Sequence, residues 1–509
     1  MNPKRIIIFS LILLFALGAV SASDVDDSSD ITPQEDSTVS DDAPSSDIST
    51  NEVNSNEKIV DEPTRSTSIT VDNNNYNNLN TYMTQYDTII FDDTFSGKTV
   101  DITNDVELTA TSTASFTNSY FNVLSNNVKI NGLKITNNAG TGSAILVENY
   151  NNTQIVNNDI TVTSTSGEAI AIKLNSTHNN TIDLNEVTLT GKAQYRWEII
   201  HHDAQGDIPA YDDYIFHLYS AGIVVDDSYD VNVTNNKITA TATTTDVYGT
   251  NEGMNIRNSY SIIANKNNVT TTNGDMGYGI TFENVSESTL KFNKIIVSTA
   301  NYADGIQLVT GRSNVISYNN ITSNAHSDST PSSYETFAYG IYASTNWGAS
   351  QTQDNTFSYN NITVNATISY GIEGYIIDSN TISYNNITAI GNNTMGIGLY
   401  DSNSNTIKNN KIIVTGETKD LNPYAYEQIT PETTGIKIMG GSSSTGNLIK
   451  TNTITVSDPN TIEPFLFTII IETSGNTVNS DNTLSAGLRT GAATVSAASG
   501  NTVWGIIIP

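Results

Sequence analysis

The sequence predicts an all-β protein, a right-handed, single-stranded parallel β-helix of about fourteen coils with an N-terminal cap. Three observations support this solenoid. The pattern Gly-Ile-x-Ile, a polar turn, then Asn-Thr-Ile-x-x-Asn-x-Ile recurs about ten times, about 25 residues apart. Within each copy, apolar and polar residues alternate over a few positions, as in a short strand. The repeat region shows no helical periodicity.

Each copy of the repeat reads as one coil whose strands pair with the coils on either side. Clear copies run from Asp304 to Ile321, Tyr370 to Ile387, Gly396 to Ile412 and Gly435 to Ile454. Ile and Val at fixed positions are expected to form aliphatic columns in the core. The Asn of each Asn-x-Ile/Val is expected to occupy a bend with left-handed backbone and to bond its neighbours in a ladder. We interpret these recurring Asn residues as structural.

Composition divides the chain into five segments. Residues 1–22 have the charged start, apolar core and small-residue site of a signal peptide, with cleavage expected after Ala22. Residues 23–65 are an acidic Ser/Thr/Asp-rich linker, expected to be disordered and to act as a spacer from the cell envelope. Residues 66–134 form the N-terminal cap and first coils, 135–484 the regular coils, and 485–509 a C-terminal coil or cap.

The charge balance restricts the partners. With 53 acidic against 22 basic residues, the chain has a formal net charge of −31, which excludes nucleic-acid binding. There is no Cys, so neither a disulfide framework nor thiolate chemistry is available. An acidic surface concentrates cations, and calcium is the one candidate ion. The mature chain shows no apolar run long enough to span a membrane.

Insertions mark the expected functional side. The largest lie at residues 191–219, 324–339 and 416–434, each after the Asn-x-Ile strand and before the next Gly-Ile. Coils stack in register, so these loops are expected on one side of the solenoid. The loops are rich in aromatic and polar residues suited to stacking on sugars. The predicted ligand-binding residues are Tyr195, Trp197, His201, His202, Tyr211, Asp212, Asp213, Tyr214, Tyr339, Tyr424 and Tyr426.

Alternative interpretations of these residues remain open. The tyrosines before Gly-Ile (Tyr278, Tyr339, Tyr370) could simply stack from coil to coil. The His and carboxylate residues of 191–219 match no metal-ligand spacing and also fit a polar surface loop. Asp226, Asp227 and Asp230 are a candidate calcium site, because carboxylate oxygens are the ligands calcium prefers.

Sequons for N-glycosylation recur because each copy of Asn-Asn-Ile-Thr contains an Asn-x-Thr triplet. The candidate sites are Asn151, Asn232, Asn268, Asn320, Asn361, Asn386 and Asn392.

With its signal peptide, acidic linker, entry motif Ile69-Thr-Val-Asp-Asn-Asn-Asn-Tyr76 and Asn-Thr-Ile-x-x-Asn-x-Ile coils, the chain resembles the adhesin-like surface proteins of methanogenic archaea. This resemblance implies an exported or cell-surface protein that holds other cells or polysaccharides. It departs from that family in having no recognisable C-terminal wall-binding repeat or anchor.

A polysaccharide lyase, hydrolase or epimerase is the alternative function, since the same fold serves pectate lyases, polygalacturonases and uronate epimerases. Asp226-Asp227 and Asp304-Gly305-Ile306 are partial matches to polygalacturonase motifs, but there is no Gly-His-Gly. Arg257 and Arg312 are the only arginines in the regular coils, and no acidic cluster follows either in sequence. We therefore expect a non-enzymatic glycan binder, with a passive stalk as a second alternative.

Overall fold

The computed structural model describes residues 65–138, 142–164, 169–191, 196–202, 211–217, 220–242, 250–326, 336–346, 350–417, 432–440, 444–458, 466–486, 495–497 and 501–503. For residues 196–202 and 211–217 it describes the backbone alone. The chain divides into residues 1–65 and residues 66–509. The predicted signal peptide and all of the linker except Arg65 lie outside the described residues.

Each coil consists of three strands, and each strand pairs in parallel with its equivalents in the next coils. The three resulting sheets, named sheet 1, sheet 2 and sheet 3 in chain order, contain 16, 14 and 14 strands. Every neighbour in these sheets comes from an adjacent coil, as between Gln154 and Thr181. The predicted parallel β-helix of about fourteen coils is confirmed.

Sheet 1 is made mostly of three-residue strands that follow a tight bend. Its strands are Ser66–Val71, Tyr86–Phe91, Glu107–Ala110, Lys129–Asn131, Gln154–Val156, Thr181–Asp183, Asn232–Thr234, Ile263–Asn265, Thr289–Lys291, Val315–Ser317, Thr356–Ser358, Thr381–Ser383, Thr406–Lys408, Leu448–Lys450, Thr477–Val478 and Thr502–Val503.

Sheet 2 follows sheet 1 after a bend of two residues in the regular coils. Its strands are Thr94–Ser96, Ser115–Thr117, Lys134–Asn137, Asp159–Ser164, Glu186–Gly191, Lys237–Ala242, Asn268–Thr272, Lys294–Thr299, Asn320–Ala325, Asn361–Asn365, Asn386–Gly391, Lys411–Gly416, Thr453–Ser457 and Thr483–Ala486.

Sheet 3 contains the longest strands and closes each coil. Its strands are Thr99–Ile102, Tyr120–Val123, Gly142–Glu148, Ala169–Asn175, Ser220–Asp226, Thr250–Tyr260, Met276–Ser286, Tyr302–Val309, Phe337–Ser344, Ile368–Tyr375, Asn393–Tyr400, Thr433–Met439, Leu466–Ile471 and Val495–Ala497.

Two small sheets lie outside this pattern. Arg196–His202 and Tyr211–His217 form an antiparallel hairpin within the insertion at residues 191–219. Thr352–Gln353 pairs in parallel with Ile377–Asp378.

The N-terminal cap consists of a 3₁₀ turn, Tyr76–Asn78, and the α-helix Leu79–Gln85. Leu79 and Met83 are one helical turn apart and both are buried, so the helix packs one face on the first coils. Below it, four buried phenylalanine rings pack with centroids 4.9 to 5.4 Å apart, namely Phe91, Phe95, Phe116 and Phe121. Among the described residues, no helix is long and apolar enough to cross a membrane.

The core is a set of aliphatic columns, because alternate strand residues point inward in every coil. In sheet 1 the central strand residue faces the interior, as Ile155, Ile182 and Val233 do with no exposed surface. Sheet 2 supplies two inward residues per strand, for example Ile412 and Val414. Inward side chains therefore lie on one another from coil to coil, which gives a continuous hydrophobic core.

The predicted asparagine ladder is present at the bend between sheets 1 and 2. The backbone and side-chain nitrogens of Asn360 both donate to Oδ1 of Asn385, at 2.9 and 3.0 Å. The pattern repeats without interruption through Asn158, Asn185, Asn236, Asn267, Asn293, Asn319, Asn360, Asn385, Asn410, Asn452 and Asn482. From Asn158 to Asn452 these residues are buried, so the ladder satisfies backbone groups that the bend would otherwise leave unpaired.

One detail of this prediction is wrong. The left-handed backbone belongs to the residue before each ladder asparagine, as at Tyr318, Tyr359 and Tyr384 with φ of 57°, 56° and 57°. The ladder asparagine cannot supply the bend's conformation, because its side chain is held by the neighbouring coils. The preceding residue has an outward-pointing side chain, and it is this residue that adopts the strained left-handed φ.

A second ladder was not predicted. It lies at the bend between sheets 3 and 1 and uses the first Asn of Asn-Thr-Ile. Asn355 donates to Asn380 at 3.0 Å, and Asn380 donates to Asn405 at 3.1 Å. The same contacts extend from Asn314 to Asn501 through Asn447 and Asn476. From the coil of Asn314 onward, both polar bends are therefore held by chains of Asn amides.

The Gly of Gly-Ile is required by close approach to the next coil. A Cβ on Gly371 would lie 2.3 Å from Ile387 Cγ2 and 2.6 Å from the carbonyl oxygen of Gly396. That Cβ and the side chain of Ile372 would both point into the core, as at a β-bulge. The bulge shifts the strand alternation by one residue. It determines which side chains of sheet 3 face outward.

Candidate functional site

The outer surface of sheet 3 departs from the repeat in its middle coils. Counted from the repeated Gly, the residues three before, one before, two after and four after face outward. We call the outward side chains of strands Thr250–Tyr260, Met276–Ser286, Tyr302–Val309, Phe337–Ser344 and Ile368–Tyr375 the sheet 3 face. Contacts within a strand confirm the spacing, since Asn255 Nδ2 donates to Glu252 Oε2 at 2.6 Å.

The insertions enter the β-helix beside this face. Each joins the end of a sheet 2 strand to the start of a sheet 3 strand, as from Gly191 to Ser220, Ala325 to Phe337 and Gly416 to Thr433. The large insertions predicted from sequence therefore share one corner of the coil.

Tyrosines dominate the centre of the sheet 3 face. Tyr302 packs on Tyr278 and Tyr339, with ring centroids 6.1 and 5.4 Å away. Tyr339 in turn contacts Tyr342 at 5.4 Å and Tyr370 at 5.5 Å, both edge to face. The rings are tilted rather than parallel. The proposed coil-to-coil stacking of Tyr278, Tyr339 and Tyr370 is therefore not a regular ladder, because Asp304 interrupts that column.

Two carboxyl groups lie among these rings. Asp304 is fully buried, Tyr302 hydrogen-bonds to its carboxyl, and Gln307 Nε2 lies 3.5 Å from Oδ2. Burial and the charge of Glu373 hold the pKa of Asp304 well above its usual range. Burial also raises the pKa of Glu373 to about 8. We call Tyr278, Tyr302, Asp304, Tyr339, Tyr342, Tyr370 and Glu373 the tyrosine–carboxyl cluster.

A charged group spans three coils and adjoins the cluster at the coil of Tyr278. Arg257 Nη2 pairs with Asp226 Oδ2 at 2.7 Å, and Glu283 is its register partner in the following coil. Glu252, on the same strand as Arg257, is buried, and this burial raises its pKa to about 8 although Asn255 and Thr281 donate to it. Sequence spacing did not predict this group, because its members come from different coils.

The sheet 3 face also contains buried polar atoms without a hydrogen-bond partner. Among the described residues these are Asn255 Oδ1, Arg257 Nε and Asp304 Oδ1 on the face, out of seven such side-chain atoms. Native proteins leave few buried polar atoms unpaired. Three within three consecutive coils mark a place where a ligand's polar groups would be accommodated.

A second aromatic feature lies on another corner, between sheets 1 and 2. Phe292, Tyr318, Tyr359 and Tyr384 are about half exposed and stack with centroids 4.8 to 5.1 Å apart and planes within 16° of parallel. We call them the aromatic ladder. Their faces are covered by one another, which leaves mainly ring edges to solvent. The ladder is therefore suited to stabilising the bend rather than to stacking on sugars.

The predicted ligand-binding residues fall into three groups. Tyr339 lies in the tyrosine–carboxyl cluster. The backbone places His201 opposite Asp212 and His202 opposite Tyr211 in the hairpin, which also contains Trp197, Asp213 and Tyr214. Tyr195, Tyr424 and Tyr426 lie outside the described residues. Ligand binding by these residues stays a prediction.

Sequence reasoning missed Glu252, Asn255 and Glu373. They could have been found from the sequence, since aligning the repeats on their Gly places all three residues at outward positions.

The three predicted calcium ligands are not gathered around one point. Asp226 pairs with Arg257, while Asp227 Oδ2 accepts a hydrogen bond from Ser176 Oγ at 3.0 Å. Asp230 is exposed and lies in a bend with φ of 52°. Within the part of the chain that the structure describes, no three or more His, Asp or Glu side chains are placed to hold a metal ion. The geometry does not support the predicted site.

The sequons occupy two settings. Asn268, Asn320, Asn361 and Asn386 are exposed at the start of sheet 2 strands, whereas Asn151, Asn232 and Asn392 are partly buried. Asn361 Nδ2 donates to Asn320 at 3.0 Å, and Asn386 Nδ2 donates to Asn361 at 2.8 Å. Glycans on adjacent members of this stack would crowd each other at the strand spacing of about 4.8 Å. Glycosylation stays a prediction.

Residues 221–412 match the protein family described as right handed beta helix region. No curated protein sequence matches the chain.

Three solved structures are similar at low identity. The Dettilon tailspike protein is 14% identical with a TM-score of 0.42, covering 79% of this chain and 62% of the tailspike. Alginate lyase AlyF-OU02 in complex with G6 is 12% identical with a TM-score of 0.44, covering 82% and 86%. DFA-IIIase from Arthrobacter chlorophenolicus A6 in complex with GF2 is 12% identical with a TM-score of 0.40, covering 75% and 89%. The pairing of the strands and the family match together identify a right-handed parallel β-helix, with residues 221–412 similar to that family.

Proposed function

We propose that this protein is an exported, surface-displayed glycan-binding protein whose binding site is the sheet 3 face. The observation that carries the proposal is the coincidence of clustered tyrosines with unpaired buried polar atoms on this one face. Aromatic rings pack on the apolar faces of sugars, while sugar hydroxyls both donate and accept hydrogen bonds. The signal peptide predicted at residues 1–22 supports export, and the resemblance to adhesin-like proteins supports surface display.

The accessible part of the cluster defines the expected contact area. Tyr342, Tyr370 and Glu373 are partly exposed, whereas Asp304 and Tyr339 are buried behind them. The exposed residues would contact the sugar first, and the buried residues would fix their orientation. Five strands spaced by about 4.8 Å give the face a length of roughly 20 Å, which suits a chain of several sugars.

Retention on a panel of insoluble polysaccharides tests the proposal. The full chain should bind at least one polymer, and the double variant Tyr342→Ala/Tyr370→Ala should lose most of that binding. Tyr318→Ala/Tyr359→Ala, which removes two rings of the aromatic ladder, is the matched control and should still bind. Equal loss in both double variants, or no loss in either, would contradict the assignment of the site.

Glycan cleavage is a second candidate function, favoured by one observation. Burial raises the pKa of Glu252 and of Glu373 to about 8, so both carboxyls carry a proton at neutral pH, as a general acid must. Release of reducing ends from the retained polymer would support hydrolysis or elimination. Loss of that release in Glu373→Gln with retention unchanged would assign it to this carboxyl.

A further inference from the structure

The charge pattern of the sheet 3 face bears on which glycan it takes, an inference that rests on the proposed function. The six consecutive sheet 3 strands from Thr250–Tyr260 to Asn393–Tyr400 contain four carboxyl groups and one cationic side chain. The carboxyls are Glu252, Glu283, Asp304 and Glu373, and the cation is Arg257. A polymer with a carboxylate on each sugar would meet this one cation within the six strands.

That single cation is already neutralised. Arg257 bonds Asp226 on one side and faces Glu283 on the other, so two carboxylates in neighbouring coils flank one guanidinium. An anionic sugar placed against Arg257 would also approach both of these carboxylates. Like charges placed opposite each other at a binding surface disfavour association. Arg257 is therefore a poor site for a uronate or sulfate.

The remaining acids are suited to uncharged partners. Burial raises the pKa of Glu252 and Glu373 to about 8 and holds that of Asp304 well above its usual range. Each of these carboxyls keeps its proton to a higher pH than an exposed acid does, and a protonated carboxyl offers both a donor and an acceptor. A nearby anionic ligand would raise their pKa further and gain no ion pair.

The unpaired atoms on the face favour hydroxyl groups. Asn255 Oδ1 needs a donor, Arg257 Nε needs an acceptor, and Asp304 Oδ1 lies in a carboxyl that does either. A sugar hydroxyl supplies both functions, whereas a carboxylate only accepts. We propose that the sheet 3 face is selective for uncharged polysaccharides and discriminates against polyuronates and sulfated glycans.

Affinity electrophoresis of the full chain at pH 6.5 tests this selectivity. The gels contain either neutral polymers (glucan, mannan, galactan, xylan, N-acetylated amino-sugar polymers) or anionic ones (polygalacturonate, alginate, a sulfated galactan). Retardation by the best neutral polymer should be at least about tenfold stronger than by any anionic polymer, and it should change little with salt, because no ion pair is involved. Glu283→Gln should improve retardation by polyuronates several-fold, since it removes one of the two carboxylates beside Arg257.

The outcomes separate this inference from the function on which it rests. Stronger retardation by a polyuronate, abolished by Arg257→Gln and by Tyr370→Ala, would overturn neutral selectivity and keep the binding site. Retardation by the neutral polymer that persists in Tyr342→Ala/Tyr370→Ala would overturn the site itself. No retardation by any polymer would overturn the proposed function and the inference with it.

Discussion

The rings of Tyr318 and Tyr359 lie 4.8 Å apart and 1° from parallel, one coil above the other, on the corner between sheets 1 and 2. The rings of Tyr339 and Tyr370 are also one coil apart, yet they meet at 71° on the sheet 3 face. The first arrangement repeats in successive coils and the second does not. Regular stacking is typical of a structural ladder, and the irregular cluster lies where carboxyl groups break the repeat. We therefore infer that the tyrosines of the aromatic ladder stabilise the fold and that those of the sheet 3 face bind the ligand.

Tyr359→Ala should destabilise the β-helix without affecting glycan binding. The ring of Tyr359 stacks on both Tyr318 and Tyr384, and each lost stack is worth about 1 kcal/mol. The backbone of Tyr359 has a φ of 56°, which alanine tolerates poorly and glycine well. Tyr359→Gly should therefore unfold at a higher urea concentration than Tyr359→Ala, as followed by circular dichroism. The reverse order would contradict backbone strain at this bend, because both variants lose the ring and differ only in the backbone freedom of residue 359.

Replacement of the adjacent residues Asn360 and Asn361 should lower the free energy of unfolding by very different amounts. Asn360 is buried and accepts from both nitrogens of Asn319, so Asn360→Ala leaves two buried donors unpaired. Its cost should be about 3 kcal/mol or more in the free energy of unfolding. Asn361 is exposed, and Asn361→Ala should change that free energy by less than about 0.5 kcal/mol. Urea unfolding of the two variants is the measurement, and similar losses in both would contradict the ladder's structural role.

Replacement of two glycines in one strand tests the close approach of neighbouring coils. A Cβ on Gly396 would lie 2.2 Å from Ile412 Cγ2 and 2.6 Å from the carbonyl oxygen of Gly435. Gly396→Ala should therefore lower the free energy of unfolding by at least about 3 kcal/mol or prevent folding, because the backbone of the neighbouring coil would have to move. On Gly398 the nearest atom is the flexible Met439 Cε at 3.3 Å, so Gly398→Ala should cost less than about 1 kcal/mol. Soluble yield and melting temperature measure both, and a stable Gly396→Ala would contradict the packing described.

Stability should fall as the pH rises from about 4.5 to about 8. Glu252 and Glu373 have an ordinary pKa of 4.5 that burial raises to about 8, so the folded state keeps protons that the unfolded chain releases in this interval. Their stabilising contribution is complete below pH 4.5 and is lost as the pH rises through the folded-state value. Buried Glu252 contributes a slope of at most about 1.4 kcal/mol per pH unit, and the partly exposed Glu373 contributes less. Glu252→Gln should flatten the decline in melting temperature, and an unchanged slope would show that Glu252 is ionised when folded.

The fold could be predicted from sequence because every coil of a solenoid repeats the same residue pattern. The Ile positions predicted the core columns, the Asn of each Asn-x-Ile predicted one ladder, and the long intervals between repeats predicted the corner of the insertions. The second ladder at Asn355 and Asn380 was missed because its amide contacts run along a bend between strands. The left-handed φ was placed one residue too late, since side-chain bonding and backbone strain fall on adjacent residues.

The candidate site was less accessible to sequence reasoning. Arg257, Asp226 and Glu283 are about 30 residues apart in sequence, and only the register of unequal coils brings them together. Asp304 matched part of a known motif, but its burial among tyrosines depends on the bulge at Gly305. The large insertions favoured a site on loop residues such as Trp197 and His201, whereas the tyrosine–carboxyl cluster lies on strands of sheet 3.

Hydroxyl-radical footprinting with and without a bound polysaccharide tests the central claim most directly. Oxidation of each tyrosine is followed by mass spectrometry of the full chain after digestion. Tyr342 and Tyr370 of sheet 3 should become protected when the glycan is added, while Tyr318, Tyr359 and Tyr384 should oxidise at unchanged rates. Protection of the aromatic ladder with no change at Tyr342 and Tyr370 would contradict a glycan-binding site on sheet 3.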